Sequence, residues 1–528
     1  VHENTSNTGA RRMSDIDVAQ LLSTLPDRIS AIPRRWSARS PDAPALHDGR
    51  RLWTYAQLTE AIDDTAALLR QLDVRPGDRL MVVGENCVAQ VALTFAAADI
   101  DAWIVHVNGR LSAPEVDAIR DHSGARRVIY TSAPSAPTSP ETVAHGQRHR
   151  AEAADSPFGA WMIGALNSDC APEPAHAASE HQVAALVYTT GTTGNPKGVM
   201  LTHRNLLFIA AVSSTLRGLT PHDRAYGVLP VTHVYGLTSV MLDTLYAGAC
   251  LYLCPRYTPQ ALINAIRDDR LTILQGVPAM YARLLETLGV AGQMTEQGRP
   301  QRLDNQLRFA YAGGSPLSPT LKTQVEQLLG VALHNGYGMT ETSPTVSQTR
   351  LDAPRGDASV GVAIPGVNVR VVDVVGADVA AGADGELWVR GPNVMLGYYR
   401  EPELTAAAMR PDGWINTGDI ARQGPDGALF IVGRTKELII RSGFNVYPLE
   451  VETVLNGHPA VTQSAVVGRD IADGNEEIIA FVELDPRRRV SIAELQQYLA
   501  RRLSPYKCPS EIIAMPTLPA ATTGKILK

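Results

Sequence analysis

Cysteine is scarce: five in 528 residues, too few and too scattered for a disulfide framework. Cys87, Cys170 and Cys508 stand alone. Cys250 and Cys254 are closer together, in AGACLYLCPRYTP, but no second pair at zinc-ligand spacing accompanies them. They read as small buried hydrophobes on an apolar strand, and such usage suits a reducing cytoplasm. A surplus of positive charge is also missing. Lys+Arg 48 against Asp+Glu 54 leaves a formal charge of −6, which does not suggest nucleic acid, whose affinity rests on clustered cations. The most apolar stretch, VALTFAAADIDAWIVHV from Val91 to Val107, is broken by Asp99 and Asp101, and charges there argue against a membrane span. The opening residues, VHENTSNTGARRMSD, lack the apolar run of a signal peptide, and Met13 is a candidate start.

Material for buried cores is plentiful. Hydrophobic residues make up 45%, which excludes full-length disorder, and the length suggests roughly three or four modules. DRLMVVGEN, CLYLCP, LTILQGVP and LRFAYAGGS read as buried strands, each after a helix-like segment such as LTEAIDDTAALLRQL. This alternation predicts α/β layers with largely parallel sheets. From Thr131 to about His181 the chain is dense in Ala, Pro, Ser and His without a period, the texture of a surface excursion or mobile connection. Near GRTKELIIRSGFNVYPLEVE the texture changes again. LEVETVLNGHP and SIAELQQYLARRL read as helices, SAVVGRD and EIIAFVELD as strands, together a small α+β module of roughly ninety residues. The expected division is residues 1–434 and 435–528.

The sharpest local signal is LVYTTGTTGNPKGVMLTHRNLL. A strand from Val183 to Tyr188 leads into Thr189, Thr190, Gly191, Thr192, Thr193, Gly194, Asn195, Pro196 and Lys197. Glycines let successive backbone N–H groups converge, threonine hydroxyls add donors, and Lys197 adds a mobile cation. A polyphosphate requires such a set. The G-x-x-x-x-G-K-[ST] spacing of a Walker loop is absent, and the alternative is a flexible Gly/Thr surface loop.

YTTGTTGNPKG resembles the phosphate-binding signature of the adenylate-forming, AMP-binding superfamily. NGYGMTET (Asn335 to Thr342), GWINTGDIA (Gly413 to Ala421), GRTKELIIRSGFNVYPLEVE (Gly433 to Glu452) and the terminal TTGKILK match its other signatures in order. The resemblance covers nearly the whole chain. It implies a large N-terminal region of layered α/β subdomains with a distorted β-barrel, and a small mobile α+β C-terminal domain. It implies ATP, Mg²⁺ and CoA as cofactors and co-substrates. By this resemblance Lys197 and the threonine loop hold the β- and γ-phosphates. Thr340 and Glu341 serve the α-phosphate and Mg²⁺, with Glu341 the metal ligand. Tyr337 stacks on adenine between Gly336 and Gly338, Asn335 precedes it, and Gly313, Gly314 and Ser315 lie between adenine and acyl pocket, Ser315 standing where most relatives have Ala. Asp419 accepts the ribose hydroxyls with Arg434 beside it. Lys525 bridges substrate carboxylate and phosphate. Lys436 is the hinge about which the small domain turns, bringing Ser442 and Gly443 to the thiol channel. The chain stops three residues after Lys525, earlier than many relatives.

LPVTHVYGLTS places His233 two residues before Tyr235, a pattern similar to 4-coumarate-CoA and fatty acid-CoA ligases, where the histidine lines the acyl channel. No aspartate falls between Thr232 and Thr238 to hold an amino acid's ammonium. Pocket walls drawn from Tyr235, Val277, Tyr311, Gly313, Gly336, Met339 and Val346 are mostly apolar, which favours a fatty or aryl acid. Arg283, in GVPAMYARLLE, would either meet the second carboxylate of a malonate-type substrate or face solvent. The expected enzyme is a cytoplasmic acyl-CoA synthetase, monomer or homodimer. Its partners are a small carboxylic acid, ATP and CoA, or an acyl carrier protein in place of CoA.

Overall fold

A computed structural model describes residues 16–132, 138–156, 158–190, 196–290, 302–441, 444–471, 475–521 and 526–528. Strands Arg79–Gly84 and Trp103–Asn108 are buried along their whole length, as central strands covered on both faces must be. They pair in parallel with each other, and Arg127–Tyr130 and Val183–Thr190 join them in parallel to form the middle of an eight-stranded sheet. A second, nine-stranded sheet runs parallel through Pro44–His47, Cys250–Leu253, Arg224–Gly227, Ile273–Gly276, Phe309–Ala312 and Leu333–Gly338.

Helix Tyr55–Gln71 starts at Thr54, whose hydroxyl accepts from Gln57 N–H while the Gln57 side chain accepts from Thr54 N–H, satisfying two end groups reciprocally. It packs against Val88–Asp99, buried all round except at Asp99, the pattern of a helix enclosed by protein. The two charges that interrupt the apolar stretch mark the turn into strand Trp103–Asn108. Asp99 pairs with Arg34, and Asp101, in the left-handed region at φ 57°, pairs with Arg28 at 2.6 Å. No helix among the described residues is long and apolar enough to cross a membrane, and all five cysteines are free.

The stretch from Thr131 to His181 departs from expectation. It carries a helix, Pro140–Arg148, capped by Ser139, and an antiparallel pair, Glu152–Ser156 with Gly159–Ile163, that extends the eight-stranded sheet. A four-stranded antiparallel sheet of Asn368–Val372, Asp384–Arg390, Ile415–Gln423 and Leu429–Arg434 follows. Backbone bonds from Val360 N–H to Leu429 O and from Leu429 N–H to Gly361 O, 2.9 and 2.8 Å, stitch its edge to the segment before Val362–Ala363. Beyond residue 438, strands Val461–Asp470, Glu476–Leu484 and Glu511–Met515 carry helices Pro448–Asn456 and Ile492–Ala500 over a core of their own, drawn from residues 439–512.

Candidate active site

In an open parallel sheet the strand ends leave backbone groups and connecting loops around one crevice, outside the carboxyl edge. Four neighbouring segments of the nine-stranded sheet deliver candidate residues there. His233 and Tyr235 follow Arg224–Gly227, and Val277 follows Ile273–Gly276. Gly313 follows Phe309–Ala312, and Gly336 to Gly338 end Leu333–Gly338. The His233 Nδ1 accepts from Tyr235 N–H at 3.2 Å, just where a π-helical turn, Tyr235–Leu242, begins. Gly314 lies at φ 79°, and the half-buried Ser315 follows it.

Two glycines have no substitute. A Cβ on Gly336 would lie 1.8 Å from the Tyr311 Oη, and one on Gly338 would lie 2.0 Å from the Pro344 carbonyl oxygen. Beneath them Asn335 is buried, its Oδ1 accepting from Gly336 N–H at 3.0 Å and its Nδ2 donating to the Ser359 carbonyl at 3.2 Å. Its amide thus pins the strand end that presents Tyr337.

The Tyr337 hydroxyl donates to Asp419 Oδ2. Asp419 is buried, stands opposite Arg434 in the strand register, and meets its Nε at 3.0 Å through Oδ1. Its own N–H donates to the Thr417 hydroxyl at 3.1 Å, fixing the carboxylate's backbone. Burial pushes the Tyr337 phenol well above its ordinary value, so it stays a donor. Burial opposes the Arg434 charge, yet Asp419, Glu437 and Glu341 hold the guanidinium above its usual range.

Thr340 and Glu341 lie in a short 3₁₀ turn, Thr340–Thr342. The Glu341 carbonyl accepts from Met395 N–H at 2.9 Å and its Oε1 accepts from the Tyr398 hydroxyl at 2.8 Å. Lys197, on strand Pro196–Thr202 opposite Thr189, sits 5.9 Å from the centre of the same Tyr398 ring. A single carboxylate anchored at one oxygen is a hard donor suited to Mg²⁺, which takes one or two carboxylates alongside phosphate oxygens. Glu341 fits that group.

Thr190 is strand backbone, while Gly191, Thr192, Thr193, Gly194, Ser442, Gly443 and Lys525 lie outside the described residues. Lys436 is exposed on the turn Thr435–Glu437. Arg283 is exposed on helix Pro278–Val290.

Several contributors carried no signal in the motifs. Tyr398 is one. Another is the buried pair Arg217–Asp243, 2.7 Å apart, with the Arg217 guanidinium 4.7 Å from the Tyr311 ring centre; a lone aspartate inside the apolar run TSVMLDTLY is the trace it leaves in sequence. On helices Ala113–Ser123 and Pro140–Arg148 and the residue after the latter, Asp117, His145 and His149 converge, but Arg120 lies 3.2 Å from the carboxylate and Arg148 3.7 Å, so that charge is already met.

The arrangement matches a described family. "AMP-binding enzyme" matches residues 33–399 and "AMP-binding enzyme C-terminal domain" residues 450–525; the chain belongs to this family. It is 35% identical over 501 residues to a feruloyl-CoA synthase of an Amycolatopsis species, covering 94% of this chain and 96% of that one. It is 32% identical over 508 residues to an indoleacetate–CoA ligase of Aromatoleum aromaticum, covering 94% and 95%. Among solved structures, a benzoate CoA ligase of Burkholderia xenovorans superposes with a TM-score of 0.79 at 26% identity, over 94% and 98% of the two chains. The protein is an AMP-forming acid–thiol ligase that uses a carboxylic acid, ATP and CoA.

Proposed function

We propose that the acid is an aryl acid with a polar ring substituent, activated in the cytoplasm as an acyl-adenylate and transferred to CoA. One observation carries the substrate class. The Tyr235 hydroxyl is buried without a hydrogen-bond partner among the described residues, and a Cβ on Gly313 would lie 3.4 Å from it. An unpaired buried hydroxyl costs about 1–3 kcal/mol, which a substrate's ring hydroxyl or amine would recover. Tyr311, its hydroxyl against Gly336, adds a second aromatic ring beside it. The feruloyl and indoleacetate ligases among the relatives support the same class.

In this reading Tyr337 stacks on adenine, Gly336 and Gly338 admit the nucleotide, and Asp419 accepts both ribose hydroxyls, steadied by Arg434. Gly313, Gly314 and Ser315 divide adenine from the acid, and His233 lies beside its carboxylate. Lys197 and the threonine loop grip the β- and γ-phosphates, and Thr340 the α-phosphate. Glu341 holds Mg²⁺, which when bound neutralises phosphate charge. The acid's carboxylate oxygen attacks the α-phosphorus, the bond to the pyrophosphate oxygen breaks, and pyrophosphate leaves with its charge met by cations already in place. Lys525 steadies the attacking carboxylate. The small domain, residues 435–528, then turns about Lys436, Ser442 and Gly443 enter, and the CoA thiolate attacks the acyl carbon while AMP departs.

Pyrophosphate release across hydroxylated and unsubstituted aryl acids, fatty acids and malonate, followed by addition of CoA or a carrier protein, tests the reading. Hydroxylated aryl acids are expected to lead. Tyr235→Phe is expected to lower their kcat/KM about tenfold, the value of one lost hydrogen bond, and to spare the unsubstituted ones. A lead by long-chain acids or malonate overturns the substrate class. A second expected result concerns the nucleotide: Asp419→Ala raises the KM for ATP roughly 10²-fold through loss of two charge-assisted hydrogen bonds. Steady-state pyrophosphate assays measure it, and an unchanged KM removes Asp419 from the ribose.

A further inference from the structure

The candidate phosphate cation and the candidate metal carboxylate belong to different sheets. Lys197 sits on the eight-stranded one, and Glu341 in the turn that follows Leu333–Gly338 of the nine-stranded one. Segment 395–399 spans the two. At one end, Met395 N–H holds the Glu341 backbone carbonyl. At the other, Gly397 and Tyr398 pair antiparallel with Met200 and Val199, and Leu396 and Tyr399 donate to the carbonyls of Met200 and Gly198 at 3.0 and 2.8 Å. Tyr398 N–H donates to the Thr405 hydroxyl at 2.9 Å, so its backbone is held on both sides. From this fixed base the ring runs past Lys197 and the hydroxyl ends on Glu341 Oε1.

We infer that Tyr398 is a positioning residue for the metal: its hydroxyl fixes one oxygen of Glu341, so that the other is presented to a divalent cation on the phosphates beside Lys197. The inference rests on the proposed nucleotide site. Groups one bond removed from a metal ligand set its orientation, and their loss typically costs 10–100-fold in metal affinity.

The test is Tyr398→Phe, which removes one oxygen and keeps the ring against Lys197. Mn²⁺ is titrated by electron paramagnetic resonance into the full chain with an ATP analogue whose α,β-bridge is methylene, so no turnover is needed. The Mn²⁺ dissociation constant is expected to rise about tenfold. In pyrophosphate assays the half-saturating Mg²⁺ concentration should rise in parallel, with the lost rate recovered as Mg²⁺ is raised. Glu341→Gln should weaken Mn²⁺ at least as much, and adding Tyr398→Phe to it should cost nothing more, because the hydroxyl acts through that carboxylate. Wild-type Mn²⁺ affinity in Tyr398→Phe, a rate loss equal at all Mg²⁺ concentrations, or additive losses in the double variant overturns the inference. A wild-type chain that binds no Mn²⁺–analogue complex overturns the nucleotide site itself.

Discussion

Lys525→Ala is expected to slow pyrophosphate release about 10²–10³-fold, the usual cost of removing one group that stabilises developing charge, while thioester formation from preformed acyl-adenylate stays near wild type. The asymmetry follows from chemistry. In the first half-reaction an anionic carboxylate approaches an anionic α-phosphate, and a cation between them lowers the barrier. In the second, the leaving group is already an activated phosphate and the nucleophile is a thiolate, so no such bridge is needed. Residues on either side of Lys525 are tied down. Ala520 and Ile526 bridge, Leu527 N–H donates to Pro519 O at 2.9 Å, and Lys528 meets both Glu437 and Glu452 at 2.8 Å. Substituting Lys525 leaves those anchors in place, so a rate loss would report the ammonium group and not a collapsed tail. Rapid-quench measurement of each half-reaction separates them. Equal losses in both, or none in the first, would refute the assignment.

The strand Arg79–Gly84 was legible because a strand covered on both faces reads as a near-continuous apolar run, and LMVVG does; Trp103–Asn108, with His106 inside WIVHV, was not read as one. The motif residues were legible because their chemistry is local: a strand, then donors, then a cation. What escaped was of two kinds. The pair Glu152–Ser156 and Gly159–Ile163 lies at the sheet's edge and is built from EAADS and GAWMI, where small residues leave no period. Contacts between distant segments escaped as well. Nothing near GYYRE marks Tyr398 as the partner of Glu341, 57 positions away, since a tyrosine after a glycine fits any edge strand. Asp419 and Arg434 were expected beside each other, and their pairing across adjacent strands supplies the register that brings them together.

Asp243→Leu is expected to destabilise the protein by about 3–5 kcal/mol, the cost of leaving one member of a buried ion pair alone. Its partner explains the size. Arg217 is buried to 1% exposure and reaches Asp243 Oδ2, the Ser239 carbonyl and Gln275 Oε1 with one nitrogen. A guanidinium does not shed its proton in a folded protein, so without Asp243 it stays charged and desolvated. Arg217→Met is expected to cost less, because the remaining carboxyl can take up a proton. Burial pushes the Asp243 carboxyl above the ordinary carboxylate range and Arg217 pulls it back down, so Arg217→Met raises it further than in wild type. A folded pKa raised above the unfolded value of about 3.9 gives stability that is complete below that value and is lost as pH rises through the folded one. The deficit of Arg217→Met relative to wild type should therefore widen from pH 5.5 to pH 8, whereas that of Asp243→Leu should not. The double variant should recover most of the loss, since an apolar pair of similar volume needs no desolvated charge. Urea midpoints at the two pH values measure all three. Because Arg217 underlies Tyr311, the single variants should also raise the KM for the acid, and an Asp243→Leu protein within about 1 kcal/mol of wild type, the scale of an ordinary substitution, would show that the pair does not hold the pocket floor.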